Sequence, residues 1–207
     1  MQLTVTQLSC MRQQKYLFEN ISFELRAGEI LLVEGANGSG KSSLLRLLTG
    51  LSMPDNGHIL WKQQNIFSDV FTYRAQLHYV GHSNGIKLGL TVAENIKLMA
   101  QLSSTTCSTE KMELILSQLN LLSLQQQLTQ HLSAGQKRRV ALAKLFLFPK
   151  SLWIIDEAFT ALDVAAQTFF LMQLDLHLQQ DRIAIMSSHH ALSLKNIMSM
   201  QKIKLGT

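Results

Sequence analysis

The sequence predicts an α/β fold built around a parallel core sheet. Three short apolar runs, at 30–33, 152–155 and 183–186, have the continuous hydrophobic character of strands that are buried on both faces. Segments with helical periodicity separate these runs along the chain. Strands that alternate with helices in this way form parallel sheets, because each helix carries the chain back to the start of the next strand.

The residues before the first apolar run predict a smaller antiparallel β subdomain. Leu3 and Val5 share one face of an alternating segment, and Ile21, Phe23 and Leu25 share a face of a second. Further along, the sequence predicts a leucine-rich helix at 42–49, a turn at 54–57, and short strands at 59–61 and 77–80.

The segment 83–131 predicts a helical subdomain inserted into the nucleotide-binding core of a single domain, 1–207. Thr91 and Glu94 have the spacing of a capping box for a helix that continues through Met99. Two more helices are predicted at 109–119 and 121–128. Beyond this subdomain, helices are predicted at 136–148 and 164–180, and an edge strand at 200–205.

Composition excludes several classes of protein. The 207 residues are 46% hydrophobic and 16% charged, which excludes wholesale disorder. Two cysteines are too few for a disulfide framework and fit a reducing compartment. Neither a membrane-spanning run nor a secretory signal is expected. The net charge of +5 is spread along the chain, so no nucleic-acid partner is expected.

A phosphate-binding loop follows the first apolar run. The eight residues fit G-x-x-x-x-G-K-[ST] and are Gly35, Ala36, Asn37, Gly38, Ser39, Gly40, Lys41 and Ser42. Backbone N–H groups of such a loop, together with the N-terminus of the following helix, bind phosphate oxygens. Lys41 is predicted to contact the β- and γ-phosphates and Ser42 to bind Mg²⁺, with Ser43 beside them. A chance glycine loop is disfavoured because a buried strand and a helix flank the motif.

Two acidic residues follow the second apolar run directly. Asp156 is predicted to reach the Mg²⁺ shell, and Glu157 to polarise an attacking water. Acids at the start of a helix would explain such a pair standing alone. Because the carboxyl ends of parallel strands meet at one edge of a sheet, the pair instead favours a hydrolytic site beside the phosphate-binding loop.

The string Leu-Ser-Ala-Gly-Gln at 132–136 precedes a basic helix. Ser133 and Gly135 at this helix N-terminus predict a second anion-binding site. Taken alone, the string would also fit an ordinary capped helix.

Together these elements resemble the ATPase subunits of ABC transporters, over nearly the whole chain. The resemblance implies an ABC-type, P-loop NTPase fold, ATP and Mg²⁺ as ligands, and a head-to-tail dimer of two copies. It implies that Ser133 and Gly135 contact the γ-phosphate of ATP bound by the other copy. It also identifies 161–163 as the D-loop and His189, which ends the third apolar run, as the switch histidine.

Two positions depart from that family's pattern. His82 stands where a glutamine is usual, and it either contacts Mg²⁺ or bonds a carbonyl group. The aromatic residue that stacks on adenine falls in register near Arg12. Either the guanidinium plane of Arg12 or, after a loop shift, the ring of Tyr16 serves in its place.

At finer grain, strings at 48–57, 81–87, 132–145 and 156–163 resemble the ATPase subunits of cytochrome c maturation complexes. This implies membrane subunits resembling CcmB, CcmC and CcmD at the cytoplasmic face of a bacterial inner membrane. It also implies that ATP hydrolysis drives haem export and the release of haem-loaded CcmE. We expect no haem on this chain. The alternatives are the ATPase of another ABC transporter, a soluble ABC-type ATPase acting on nucleic acid or ribosomes, and a P-loop kinase.

Overall fold

The computed structural model describes residues 1–157, 159–188 and 199–206. These residues form two compact units. Residues 1–82, 151–157, 175–188 and 199–206 belong to the first, called here the core unit. Residues 83–150 and 159–174 belong to the second, called the helical unit. The predicted helical subdomain at 83–131 lies inside the helical unit.

The core unit contains two sheets. The antiparallel sheet has the order β2-β1-β4-β5 and is made of β1 (Gln2–Arg12), β2 (Lys15–Arg26), β4 (Asn56–Trp61) and β5 (Gln64–Asn65). The parallel sheet has the order β6-β7-β8-β3-β9 and is made of β3 (Ile30–Glu34), β6 (Leu77–Val80), β7 (Leu152–Ile155), β8 (Ile183–Ser188) and β9 (Met200–Lys204). Two helices, α1 (Lys41–Leu48) and α2 (Val70–Ala75), complete the unit's regular elements up to residue 82.

The three apolar runs form the centre of the parallel sheet. Every residue of β7 and β8 is buried, as are the first four residues of β3. Four leucines of α1 are buried with one face of this sheet in a single hydrophobic cluster: Leu44, Leu45, Leu47 and Leu48. Burial on both faces explains why these strands contain continuous apolar residues rather than an alternating pattern.

The strand order determines which loops lie close together at the carboxyl edge of the parallel sheet. β8 lies directly between β3 and β7, and all three strands run in parallel. The residues that follow β3 and β7 therefore emerge at the same edge, on either side of the end of β8.

The helical unit contains α3 (Val92–Leu102), α4 (Thr109–Gln118) and α5 (Ala134–Leu147). The helix α6 (Val164–Gln179) begins in this unit and continues into the core unit. The predicted capping box of α3 is present, because Thr91 Oγ1 accepts from Glu94 N–H and the Glu94 carboxylate accepts from Thr91 N–H.

The prediction of a helix at 121–128 is wrong. Only a single 3₁₀ turn forms there, at Leu122–Leu124. The carbonyl groups of Gln125 and Gln127 accept hydrogen bonds from the N–H groups of Ala93 and Val92. The first N–H groups of a helix have no partner within the helix. The carbonyl groups of Gln125 and Gln127 bond to two such N–H groups of α3, so they are not used in a helix at 121–128.

The predicted fold class is confirmed: parallel core sheet, antiparallel sheet and helices are all present. No helix within the described parts of the chain is long and apolar enough to cross a membrane.

Candidate active site

The phosphate-binding loop, residues 35–42, connects β3 to α1 as predicted from the sequence. Gly40 occupies the N-cap of α1 and makes no side-chain cap hydrogen bond. The first turn contains no acidic residue. The positive end of the helix dipole at this helix start favours a bound anion.

Lys41 is folded across the loop that precedes it. Its side chain is buried, and its Nζ donates hydrogen bonds to the carbonyl oxygens of Gly35 at 2.7 Å and Ala36 at 2.8 Å. These bonds hold the ammonium group over the residues that a phosphate chain would contact. The arrangement places one fixed positive charge beside the helix N-terminus, as anion binding requires.

A single hydroxyl group joins the two acidic residues. Ser187 Oγ donates a hydrogen bond to Oδ1 of Asp156 and accepts one of 2.9 Å from the N–H of Glu157. Ser187 is fully buried on β8, and Asp156 is 1% exposed. Glu157 has a φ of 52°, a left-handed conformation that is uncommon for a residue other than glycine. Its bond to Ser187 supports this backbone conformation.

The donor atoms at this edge fit a magnesium ion. The hydroxyl oxygen of Ser42 and the carboxylate of Asp156 are hard oxygen ligands, which Mg²⁺ prefers. No group of three His, Cys, Asp or Glu side chains in the described residues could hold a metal by itself.

The hairpin of β1 and β2 reaches the phosphate-binding loop. A Cβ placed on Gly40 would lie 3.2 Å from Cβ of Leu17, so the hairpin packs directly against the start of α1. Tyr16 precedes Leu17 and is 38% exposed. Arg12 turns back on the hairpin and donates to the Met11 carbonyl at 2.9 Å. Both residues that the sequence singled out for base contact thus lie on this hairpin.

His82 follows the carboxyl end of β6 and is exposed. The pairing of β6 with β7 is extended by a hydrogen bond of 2.7 Å from Asp156 N–H to the Val80 carbonyl. His82 therefore leaves the sheet at the edge where the acidic pair begins.

In the helical unit, 132–136 forms the capped start of α5. Ser133 Oγ accepts a hydrogen bond of 3.2 Å from Gln136 N–H, and Gln136 Oε1 accepts one of 2.8 Å from Ser133 N–H. Ser133 is exposed. Because its oxygen already accepts a bond within the cap, the hydroxyl proton is left to donate to a ligand, which suits a phosphate oxygen.

The glycine at position 135 is required by close packing. A Cβ on Gly135 would lie 2.6 Å from the carbonyl oxygen of Ala161 in the D-loop, residues 161–163. Ala134, one position earlier, is exposed and has room for its methyl group. The structure thus explains why alanine is accommodated at 134 and glycine is retained at 135.

The D-loop is also bonded to α5. Asp163 accepts a hydrogen bond of 2.8 Å from Ala166 N–H through Oδ1, and its Oδ2 lies 3.3 Å from Nη1 of Arg139. Arg139 further donates to the Leu119 carbonyl at 3.2 Å. The signature loop, residues 132–136, and the D-loop therefore form one connected assembly within the helical unit.

Comparison with known proteins decides the family. Residues 18–160 match the family described as "ABC transporter". The chain belongs to the ABC transporter family. It is 39% identical over 204 residues to the "Cytochrome c biogenesis ATP-binding export protein CcmA" of Dechloromonas aromatica (strain RCB), covering 99% of this chain and 100% of that protein. The protein of the same name from Escherichia coli (strain K12) is 40% identical over 191 residues, covering 92% of this chain and 90% of the relative.

Solved structures agree with this assignment. A solved ATP-binding subunit of an ABC transporter superposes with a TM-score of 0.87 at 25% identity, covering 99% of this chain and 88% of that chain. The predicted resemblance to ABC transporter ATPases is confirmed, and so is the prediction that the chain binds ATP and is an ATPase.

The structure distributes the predicted ABC site residues over the two units. The core unit holds the whole phosphate-binding loop with Ser43, and the acidic pair Asp156 and Glu157. The helical unit holds Ser133 and Gly135. His189 lies outside the described residues, so its predicted contact with the γ-phosphate stays a prediction.

Two residues of this ABC ATPase were not assigned from the sequence. Ser187 stood in a Ser-Ser-His string at the end of a buried strand, and that hydroxyl at a strand end was the available signal. Arg139 lies within a basic run on α5, where nothing in the pattern distinguishes it from its basic neighbours Lys137 and Arg138.

Proposed function

We propose that this chain is the ATP-hydrolysing subunit of a membrane complex for cytochrome c maturation. The observation that carries the proposal is the identity of about 40%, over nearly the full length, to several proteins named cytochrome c biogenesis ATP-binding export protein CcmA. In this proposal, hydrolysis is coupled to haem export and to the release of haem-loaded CcmE.

ATP binds first to the core unit. The phosphate-binding loop and the first turn of α1 surround the triphosphate, and Lys41 contacts its β- and γ-phosphates. The bonds from Lys41 to the carbonyls of Gly35 and Ala36 support this, since they hold the ammonium group at the loop in advance. Preorganised charge of this kind needs little rearrangement when a ligand arrives.

Ser42 and Asp156 hold Mg²⁺ together with the nucleotide. When bound, the ion neutralises phosphate charge. The chain's own part is to fix the carboxylate of Asp156, which the 2.6 Å bond from Ser187 supports. His82 is exposed at the same edge of the sheet and is a further candidate ligand.

Glu157 orients the attacking water, and His189 contacts the γ-phosphate. The supporting observation is the backbone of Glu157, whose left-handed φ of 52° is held by Ser187. Uncommon backbone conformations occur often at active sites, where the surrounding structure maintains them. The negative charge that develops on the transferring phosphoryl group is stabilised by Lys41.

A second copy of the chain completes each ATP site. Ser133 and Gly135 of that copy approach the γ-phosphate. The supporting observations are the exposure of Ser133 and the orientation of its cap, which leaves the hydroxyl proton for a ligand. The N-terminus of α5 adds a positive dipole end to the same anion.

The β1–β2 hairpin contacts the adenine base of ATP. Tyr16 is exposed beside Leu17, whose Cβ packs against Gly40. Arg12 is placed at the hairpin end by its pairing with Lys15. These two residues are the proposed contacts for adenine.

The proposed partners are membrane subunits resembling CcmB, CcmC and CcmD at the cytoplasmic face of the bacterial inner membrane. The names of the relatives support this, because an export protein that binds ATP acts together with subunits that cross the membrane. CcmE is the proposed protein released by hydrolysis.

A tagged pull-down from detergent-solubilised membranes tests the proposal. Wild type and E157Q are compared under ATP. We expect both to recover CcmB-like and CcmC-like proteins, and E157Q to retain CcmE because ATP is bound without being hydrolysed. E19Q is the matched control, since Glu19 is an exposed glutamate of β2 to which the proposal assigns no role.

Three outcomes contradict parts of the proposal. Recovery of a different permease keeps the ATPase and removes the haem connection. Recovery of ribosomes or DNA without membrane proteins favours the soluble ATPase. Equal release of CcmE by wild type and E157Q removes the assigned role of Glu157.

A further inference from the structure

The two residues that follow β9 lie against the phosphate-binding loop. β9 is the parallel neighbour of β3, the strand that leads into the loop. Beyond the last paired residues, Leu205 N–H donates a hydrogen bond of 2.8 Å to the carbonyl of Glu34. Leu205 is 3% exposed and belongs to the hydrophobic cluster of the core unit. Its side chain therefore anchors this segment beside the start of the loop.

The contact with the loop is close on two sides. A Cβ on Gly35 would lie 2.7 Å from the Leu205 carbonyl oxygen and 2.5 Å from Ser39 Oγ. A Cβ on Gly206 would lie 2.9 Å from the Cβ of Ser39. Ser39 is thus enclosed between Gly35 and Gly206. Its Oγ is buried and makes no hydrogen bond to any described residue.

We propose that Leu205 and Gly206 are positioning residues for ATP binding. They form a wall that Ser39 rests on, and this wall sets the curvature of residues 35–42 before the nucleotide arrives. The inference rests on ATP binding at this loop. A shift of the loop by a fraction of an ångström changes the directions of the N–H groups that meet the phosphates, and binding sites are sensitive to displacements of this size.

The variant G206A tests the contact. Gly206 has a φ of +74°, so alanine adds backbone strain as well as the methyl group that meets Ser39. G85A is the matched control, because Gly85 has a φ of +67° and no atom within 4 Å of a Cβ at that position. By titration calorimetry with Mg-ATP, we expect G206A to raise Kd about tenfold and G85A to leave it unchanged. Similar melting temperatures of the two nucleotide-free variants would separate loop placement from a general loss of stability.

A double-mutant cycle assigns the effect to Ser39. S39G removes the Cβ that a residue-206 methyl group would meet, whereas S39A keeps it. We expect G206A to weaken ATP binding in the S39A background and to have no further effect in the S39G background. S39T is an independent variant, because its extra methyl group crowds the same contact from the loop side. It is expected to weaken ATP binding as G206A does.

Two results would overturn the inference: unchanged Kd values for both G206A and S39T, or an equal loss from G206A in all three backgrounds. K41A separates this failure from a failure of the ATP site itself. If K41A loses ATP binding while G206A and S39T do not, only the role of the wall is wrong. If K41A binds ATP like wild type, the nucleotide site is wrongly placed.

Discussion

The hydroxyl group of Ser187 donates a hydrogen bond of 2.6 Å to Oδ1 of Asp156. The same oxygen accepts a hydrogen bond from the N–H of Glu157. One buried side chain of β8 therefore holds both the proposed magnesium ligand and the glutamate proposed to orient the attacking water. Because β8 lies between β3 and β7, this connection is made by the strand that separates the phosphate-binding loop from the acidic pair.

Replacing Ser187 by alanine is expected to slow hydrolysis more than it weakens ATP binding. S187A removes the hydrogen bond between the Glu157 N–H and Ser187 Oγ, at a stability cost of about 0.5–1.5 kcal/mol. We expect turnover to fall about tenfold or more, since catalytic groups lose rate when they are slightly misplaced. Single-turnover hydrolysis and ATP titration measure the two effects separately. S9A is the control: Ser9 is also buried and accepts a backbone N–H, that of Asn20, in the antiparallel sheet. Equal turnover in S187A and S9A would remove the positioning role of Ser187.

Adding a methyl group at position 135 is expected to stop hydrolysis without affecting ATP binding by a single copy. A Cβ at this position would lie 2.6 Å from the Ala161 carbonyl, so G135A must displace either the signature loop or the D-loop. A134G, which removes a methyl group from an exposed neighbouring position, is expected to keep hydrolysis close to wild type. Phosphate release by membranes containing the whole complex measures the hydrolysis rates of G135A and A134G. Wild-type release by G135A would show that the two loops adapt.

Removing the side chain of Lys41 is expected to weaken ATP binding strongly. K41A loses the ammonium group that is bonded across the phosphate-binding loop. We expect the ATP Kd to rise about a hundredfold, as charge-assisted contacts of this kind contribute about 1.5–3 kcal/mol each. K150A is the control, because Lys150 also donates to a backbone carbonyl, that of Ser103, but lies in the helical unit. Calorimetric titration with Mg-ATP measures both variants, and unchanged binding by K41A would contradict the site.

Stability is expected to fall between about pH 6.5 and pH 4 because of His177. This side chain is 2% exposed, stacks on Trp153 with ring centroids 3.8 Å apart, and lies 3.0 Å from the Ile183 carbonyl through Nε2. Burial above all, together with the nearby charge of Arg182, lowers the pKa of His177 to about 4, against the raising effect of the Ile183 hydrogen bond. Below its unfolded pKa, the unfolded chain takes up a proton that the folded chain excludes. The free energy of unfolding therefore decreases by about 3 kcal/mol in total as the pH falls through this window.

Urea unfolding at a series of pH values measures this dependence. H177F keeps an aromatic ring on Trp153 and removes the titrating group, so the loss between about pH 6.5 and pH 4 should shrink. H58Q changes an exposed histidine and should leave the loss unchanged. A decrease of the same size in H177F and wild type would assign the acid sensitivity to other groups.

The parts of this molecule that follow from short-range patterns were predictable. The phosphate-binding loop, the acidic pair and the capped starts of α3 and α5 each depend on residues within a few positions of one another. The buried strands were also predictable, because burial on both faces leaves continuous apolar runs.

The remaining features depend on residues that are distant in sequence. The role of Ser187 requires knowing that β8 lies between β3 and β7. The need for glycine at 135 requires knowing that Ala161 lies against it. The failed helix at 121–128 has the same origin, since its carbonyl groups are used by the start of α3 rather than by local hydrogen bonds.

The position of β3 in the parallel sheet also determines when the site can form during synthesis. Ile30 pairs with Ala184 on one side and with Met200 on the other. Ribosomes add about 5–20 residues per second, so the strand leading into the phosphate-binding loop is made many seconds before either neighbour. Such long-range pairing is slow to form and leaves an apolar strand unpaired in the meantime. We therefore expect the loop that is translated early to become competent for ATP only after β8 and β9 have been made and paired with β3.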